Sequence, residues 1–418
     1  MKKRIHIYNA TECPRRTLDS SNLHKFLTEN DYLVVDDPQL ADDILLVTCA
    51  AWDLPELNSV KKLEELKTYN KNLVLMGCLS VINKELLDRH FHGTVIPPRD
   101  LPKINDLYPH KIPFERFNRG NDSSKYFHEA FELKKKRGVL LNAGNVYRRS
   151  RRLVKYAVHL GPIIALRIAA DHLSGASEYS LKICEGCVWN CAYCGVKKAI
   201  GPLRSRPLND CIEDFREAIF EKGHHRISIV ADDTGSYGLD IGESFMELLD
   251  RITGIDAFFI LNLGEMHPHW LIKHFDYMDR ILARKKILSL VIPVQSASQR
   301  IIALMDRNYD ICQVKELMVK LKKRHRYLHL NTHIIVGYPT EAVSDIDASI
   351  SFIREAFIDS GSVLMYSSRP GTKSSRMEGQ LSHEEKKSRM LEYHRRLAQS
   401  RYQVEFNEQT EYSIFFTR

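Results

Sequence analysis

Short apolar runs alternate with helical stretches along most of this chain, and that alternation restricts the fold more than any other feature. Asp43-Ile-Leu-Leu-Val-Thr48 and Asn72-Leu-Val-Leu-Met76 are continuous apolar runs of strand length, the pattern of strands buried on both faces. Arg4–Asn9 reads as a third strand. Between them, Asn22–Asn30, capped by Asp19-Ser20-Ser21, and Leu57–Tyr69 read as helices. Strands that alternate with helices form parallel sheets. From Tyr179 the pattern resumes, with strand-like runs at Tyr179–Ile183, Arg226–Ala231, Ala257–Leu263, Ile287–Val294, Leu328–Val336 and Gly361–Met365. Such a series of βα units predicts an open barrel with its chemistry at the carboxyl ends of the strands. The expected fold class is α/β, an N-terminal parallel-sheet α/β domain plus a partial (β/α)6 barrel.

At 418 residues the chain is too long for one ordinary core. The expected division is an N-terminal domain over 1–105, a basic, partly helical insert over 106–175 with Leu101–Pro109 as a linker, and the barrel over 176–418 with a C-terminal helix and short tail. Thr410–Thr417 reads as at most one strand. The insert carries two basic clusters, Lys134–Arg137 and Arg148–Arg152, which read as a solvated helix face or an anion-binding surface. A formal charge of +8 favours anionic partners only weakly. The start of the chain has no apolar run of signal-peptide type. Leu153–Ala170 is broken by Lys155, His159, Gly161-Pro162 and Arg167, so no membrane span is expected. The expected location is the cytoplasm, where clustered thiols act as metal ligands or catalytic groups more often than as disulfides.

Nine cysteines are present. Cys13 follows the first strand by a few residues, and Cys49 and Cys78 each stand directly after a strand. Function gathers at such strand ends, so these three are expected to converge, although each alone reads equally well as a small buried hydrophobe. Cys184-Glu-Gly-Cys187-Val-Trp-Asn-Cys191-Ala-Tyr-Cys194 contains C-x3-C-x2-C, again after a strand. Three thiolates on one tight loop can hold three irons of a cubane and leave the fourth open to a chelating cosubstrate, whereas electron-transfer clusters usually take four cysteines. Zinc on Cys184, Cys187, Cys191 and Cys194 is the alternative. Zinc ribbons separate their two cysteine pairs by a longer loop, which favours the cluster. The spacing resembles the signature of radical S-adenosylmethionine (SAM) enzymes.

Several further segments, in order, resemble the radical SAM methylthiotransferases: Ile183-Cys-Glu-Gly-Cys187, Arg204-Ser-Arg-Pro207, Asp232-Asp-Thr-Gly-Ser-Tyr-Gly-Leu-Asp240, Pro293-Val-Gln-Ser-Ala-Ser298 with Met305-Asp-Arg307 and Tyr309, Ile335-Val-Gly-Tyr-Pro339, and Tyr366-Ser-Ser-Arg-Pro-Gly-Thr372. The resemblance implies two [4Fe–4S] clusters and SAM. One cluster, on Cys187, Cys191 and Cys194, makes the radical. The other, on Cys13, Cys49 and Cys78, handles the transferred sulfur. Asp233, Thr234, Gln295 and Ser296 lie at predicted strand ends facing the barrel mouth and are expected to contact SAM or substrate, as are Tyr193 and Val336, while Arg204 and Arg206 read as SAM contacts or as a surface ion pair. Three departures stand out. Arg16 occupies a position where the family carries asparagine, Pro339-Thr-Glu-Ala-Val343 lacks the family's glycine after proline, and the chain ends without the family's terminal small barrel. The insert is a candidate substitute for substrate recognition. Glu265-Met-His267-Pro-His269 is read as an exposed turn that binds no metal.

The leading expectation is a methylthiotransferase that replaces C–H by C–S–CH3 on a peptide or small protein. The peptide choice rests on the missing barrel and on the likeness of Asp233-Thr234 to the ribosomal-protein branch. A tRNA substrate is the first alternative, sulfur insertion or thioether formation without methylation the second, and a non-catalytic binding protein the third. An electron donor such as flavodoxin or ferredoxin is an expected partner.

Overall fold

The computed structural model describes residues 2–122, 126, 143–174, 178–406 and 412–418, with backbone alone at 143–151, 167 and 170–174. A five-stranded parallel sheet comes first, ordered β2-β1-β3-β4-β5: β1 Arg4–Asn9, β2 Leu33–Val34, β3 Asp43–Thr48, β4 Asn72–Gly77 and β5 Thr94–Ile96. Every residue of β3 is buried, as its unbroken apolar run requires. The strand order reverses between β1 and β3, so the loops leaving those strands part and open a crevice.

The second sheet has nine strands in the order β15-β16-β14-β13-β12-β11-β10-β7-β6. Its parallel centre comprises β7 Tyr179–Lys182, β10 Arg226–Val230, β11 Ile260–Glu265, β12 Ile287–Val291, β13 His329–Val336 and β14 Ser360–Met365. Among the described residues β7 and β14 do not pair, so the barrel is open. β6, Asn121–Asp122, joins antiparallel to β7. β15, Gln403–Phe406, and β16, Ser413–Thr417, form an antiparallel hairpin on β14. A short ribbon, β8 Cys184–Glu185 against β9 Arg204–Ser205, brackets the cysteine loop.

Four expectations change. The first helix runs Pro14–Glu29 with proline at its first turn, so Asp19, Ser20 and Ser21 are buried inside it instead of capping it. The third barrel strand lies at Ile260–Glu265, later than expected. The supposed linker is core: Leu101, Ile104 and Tyr108 pack with Phe114 and Phe117 on the first sheet, and the Tyr108 hydroxyl donates to Asp43 Oδ2 at 2.8 Å. The first hydrophobic core therefore reaches Phe117, past residue 105. Thr410–Thr417 holds one strand, β16, as expected, and β15 pairs with it from before that range.

The helices Ala143–Leu160 and Pro162–Ser174 lie at the amino-terminal ends of the barrel strands. Lys155 Nζ donates to the Leu328 carbonyl at 3.0 Å just before β13, and Lys285 Nζ, just before β12, donates to the His159 carbonyl at 3.1 Å. These contacts place the pair at the barrel floor, opposite the strand ends that carry the cysteine loop. Lys134–Arg137 and the side chains of Arg148, Arg149 and Arg151 lie outside the described residues.

The two sheets meet with their carboxyl edges facing. Arg369, after β14, is buried against the helix Asp53–Lys67: it pairs with Asp53 and, at 2.8 Å, with Glu56 Oε2. Asp53 N–H also donates to Ser367 Oγ at 3.0 Å. Removing one partner of a buried ion pair strands the other charge. Arg369→Ala should therefore cost about 3 kcal/mol, read as a lower urea midpoint, with Arg369→Lys losing less. An unchanged midpoint would show that the pair does not hold the sheets together.

Candidate active site

Between the facing edges lies a cavity of about 700 Å³. One wall carries Cys13, Cys49 and Cys78, with Arg15 and Arg16; the other carries Tyr193, Cys194, Glu265, Gln295 and His333. Cys13 precedes the helix Pro14–Glu29, and Cys49 and Cys78 leave β3 and β4. Gly77 lets the last two approach. Its φ of +97° is in the left-handed region, and any Cβ there would collide with the Thr48 carbonyl. Cys78 N–H donates to that carbonyl at 3.1 Å. Burial raises the pKa of the Cys49 and Cys78 thiols, and the neighbouring thiols push in the same direction while Arg16 opposes it.

The second cysteine set sits on the loop after β7. Gly186, at φ +83°, turns the chain into Cys187, and a Cβ there would strike the Pro202 carbonyl. Burial, then Asp233, pushes the Cys187 thiol to about 12. Burial, then Cys191, pushes Cys194 to about 11. Arg307 Nη1 donates to the Tyr193 hydroxyl at 2.9 Å and faces Cys191 Sγ at 3.8 Å. Cys184 is buried in the barrel core, apart from the cavity. Among the described residues no three His, Cys, Asp or Glu side chains gather closely enough to hold a single metal ion, so the zinc alternative has no geometric support.

The other expected contacts divide. Tyr193 and Gln295 line the cavity. Gln295 has φ +66°, and its buried Oε1 has no hydrogen-bond partner. Asp233 does not line the cavity. It accepts from Trp189 Nε1 at 2.6 Å, Trp270 Nε1 at 2.7 Å, the His267 N–H at 2.9 Å and Ser236 Oγ. Those donors occupy both of its oxygens, so Asp233 braces the cysteine loop instead of meeting a ligand. Thr234 donates to the Glu265 carbonyl at 3.1 Å, and Ser296 accepts from the Ser298 N–H at 3.2 Å. Val336 is fully buried, and its neighbour Ile335 faces the cavity in its place. Arg204 is exposed and pairs with Glu185 at 3.1 Å, while Arg206 pairs with buried Asp214 at 2.9 Å. Neither arginine lines the cavity, because protein carboxylates already hold both. His267, read as exposed, is buried and stacks on Trp189 with ring centroids 4.0 Å apart.

The radical SAM superfamily model matches residues 181–353, and that of Uncharacterized protein family UPF0004 matches residues 6–96. A probable threonylcarbamoyladenosine tRNA methylthiotransferase from Pyrococcus abyssi is 27% identical over 361 residues, 86% of this chain and 76% of the relative. The ribosomal protein uS12 methylthiotransferase RimO of a Thermoanaerobacter species is 26% identical over 395 residues, 91% of this chain and 80% of the relative. Among solved structures, the radical SAM methyltransferase TsrM of Kitasatospora setae superimposes with a TM-score of 0.57 at 11% identity, covering 90% of this chain and 77% of TsrM, a likeness of fold. The chain contains a radical SAM domain and is similar over most of its length to enzymes named methylthiotransferases.

[4Fe–4S] and SAM are the cofactors of this radical SAM enzyme, and the residues present fit them. Cys13, Cys49, Cys78 and Cys194 line one cavity, and Gln295, whose buried Oε1 has no hydrogen-bond partner, lines it too, as a polar cosubstrate would need. Bound iron deprotonates thiols that burial otherwise keeps neutral. Sequence reasoning missed Arg15, Glu265 and His333 as cavity-lining residues. Nothing in their local sequence separates a cavity arginine or histidine from a surface one.

The two glycine hinges give separate handles. Gly77→Ala and Gly186→Ala should each lower the iron content of anaerobically reconstituted protein from about eight to about four, one cubane each. If both variants kept full iron, neither hinge would be needed to seat its thiols.

Proposed function

We propose that this radical SAM enzyme replaces a C–H bond by C–S–CH3 on a tRNA adenosine, using two clusters with separate tasks. The observation that carries the reading is the shared cavity, which has Cys13, Cys49 and Cys78 on one wall and Tyr193 and Cys194 on the other. A cluster on Cys187, Cys191 and Cys194 would supply the electron that cleaves SAM to methionine and a 5′-deoxyadenosyl radical, and one on Cys13, Cys49 and Cys78 would present the sulfur. The chain's own residues seat these groups. Asp233 braces the loop through Trp189, Arg307 holds Tyr193 against the cavity, and Gln295 offers an acceptor there. A carbon exposed in this space is within reach of both walls.

The substrate reading moves from peptide to tRNA for two reasons. Asp233 and Thr234, one of the two supports for the peptide, are engaged inside the protein. Relatives over most of the chain are named for threonylcarbamoyladenosine tRNA. Lys61, exposed and lining the cavity, suits a phosphate backbone. RimO, matching 91% of the chain, keeps a ribosomal-protein peptide as the second reading.

Two measurements in one anaerobic reaction test this. Replacing Cys13, Cys49 and Cys78 together by alanine should leave 5′-deoxyadenosine formation largely intact and abolish the carbon–sulfur product, whereas Cys191→Ala should abolish both. Digested tRNA should contain a nucleoside heavier by one methylthio group. Product on a uS12 peptide but not on tRNA would restore the peptide reading, and methylthiolated product from the triple variant would remove the sulfur role of those cysteines.

A further inference from the structure

The helices Ala143–Leu160 and Pro162–Ser174 lie between the segments matched at 6–96 and 181–353, outside both. Each helix carries two apolar faces. One packs on the barrel: Tyr156, Ala165 and Ile168 are buried in its core, with Leu153, Leu160 and Ile164 against them. The other faces solvent: Val154 is 62% exposed, Val158 70%, Ile163 76% and Leu166 70%. Val154 and Val158 are neighbours on one helix face, as are Ile163 and Leu166. The helices pack on one another through the turn at Gly161, so Val158 and Ile163 flank that turn. A pair that only closed the barrel floor would need the first face alone, and solvated aliphatics grouped in this way mark an interaction surface.

The charge accompanying the second face is cationic. The helix Ala143–Leu160 contains Arg148, Arg149, Arg151, Arg152 and Lys155 and neither Asp nor Glu, and Pro162–Ser174 adds one residue of each sign, Arg167 and Asp171. Arg152 is exposed, as are Lys285 and Arg326 beside the floor. Burial, then Arg326, Lys155 and Lys285, lowers the pKa of His159, so the field near the turn is positive. Aliphatics beside cations suit the boundary between lipid headgroups and acyl chains, where the apolar side chains insert and the cations meet anionic headgroups. We propose that this helix pair seats the protein peripherally on an anionic lipid surface. RNA would use the cations but leave the four aliphatics in water, since it is gripped through phosphates and stacked bases. A second copy would set like charges against each other. The floor lies opposite the cavity, so a flat surface docked there leaves the cavity mouth open.

The test is co-sedimentation of the full-length protein with two kinds of vesicle, one of pure phosphatidylcholine and one containing about one-third phosphatidylserine. The parent protein should bind the anionic vesicles, less so as salt is added, and bind the neutral ones about tenfold or more weakly. V158E/I163E should bind the anionic vesicles about tenfold more weakly than the parent. Both positions are exposed, so its far-ultraviolet circular dichroism and its reductive cleavage of SAM in solution should match the parent. Should V158E/I163E precipitate, V158Q/I163Q decides, because it removes the aliphatic groups without adding charge. Equal binding to the two kinds of vesicle, binding to neither, or undiminished binding by the substituted protein would overturn the inference. So would a protein that ignores vesicles but, on the same substitutions, loses tRNA binding or passes from dimer to monomer in analytical ultracentrifugation. The helix pair would then be an RNA surface or a contact between copies.

Discussion

Two ion-paired arginines, Arg369 buried and Arg15 half-buried, fix how the sheets face one another. Arg15 leaves the first helix and ends on Asp232 beyond β10, and Arg369 leaves β14 and ends on Asp53 and Glu56 below Cys49. Apolar packing alone would tolerate sliding of one edge over the other, because burial is non-directional. A desolvated guanidinium does not tolerate it: away from its carboxylate it costs several kcal/mol, and its planar donors accept only a narrow range of approach. Each bridge also ends next to a cysteine. Asp232 accepts the Gly186 N–H at 2.9 Å, one residue before Cys187. The stem of Arg369 packs on Gly195, one residue after Cys194. The contacts that dock the sheets therefore also position the thiols.

The strands were legible because burial on both faces leaves an unbroken apolar run that few other structures would produce. Arg4–Asn9 and Asp43–Thr48 appear in the structure with the expected bounds, and the cysteines after them reach one cavity because a parallel sheet places all its carboxyl ends on one edge. The first helix was misread because Asp19, Ser20 and Ser21 look like a cap. In the structure the proline after Cys13 begins the helix, and the three polar residues turn inward. Leu101 to Pro109 looked like a linker because its prolines and charges hide two anchors, Ile104 and Tyr108, whose partners are distant in sequence.

Among the candidate side chains, the cysteines were readable and the polar contacts were largely not. A thiol directly after a strand has few structural duties, so its position is informative. Asp233 also follows a strand, yet its carboxylate is taken by two indoles, a hydroxyl and a backbone amide. Those donors come from Trp189, Ser236, His267 and Trp270, and only the folded loop shows that they converge. Arg204 and Arg206 likewise resemble anion ligands until Glu185 and Asp214 are seen beside them. A charged residue near a reaction centre is often its scaffold, because the centre's own loops leave backbone groups that need partners.

The shared cavity also limits which chemistries suit the chain. A carbon radical formed at one wall must meet sulfur before solvent or backbone hydrogen quenches it, so proximity is required for product and is not merely a means to speed. On the proposed function, the facing edges meet that requirement without a domain motion. Cys13, Cys49 and Cys78 border one volume with Cys194, and the arginine bridges oppose its widening. A looser docking would leave each set of thiols able to hold iron and SAM still able to be cleaved, while the radical ended in abortive quenching. The bridges therefore bear on coupling between the two half-reactions more than on either alone. The helices at the barrel floor have no comparable hold on the reaction, since Lys155 and Lys285 anchor them at the opposite ends of the strands.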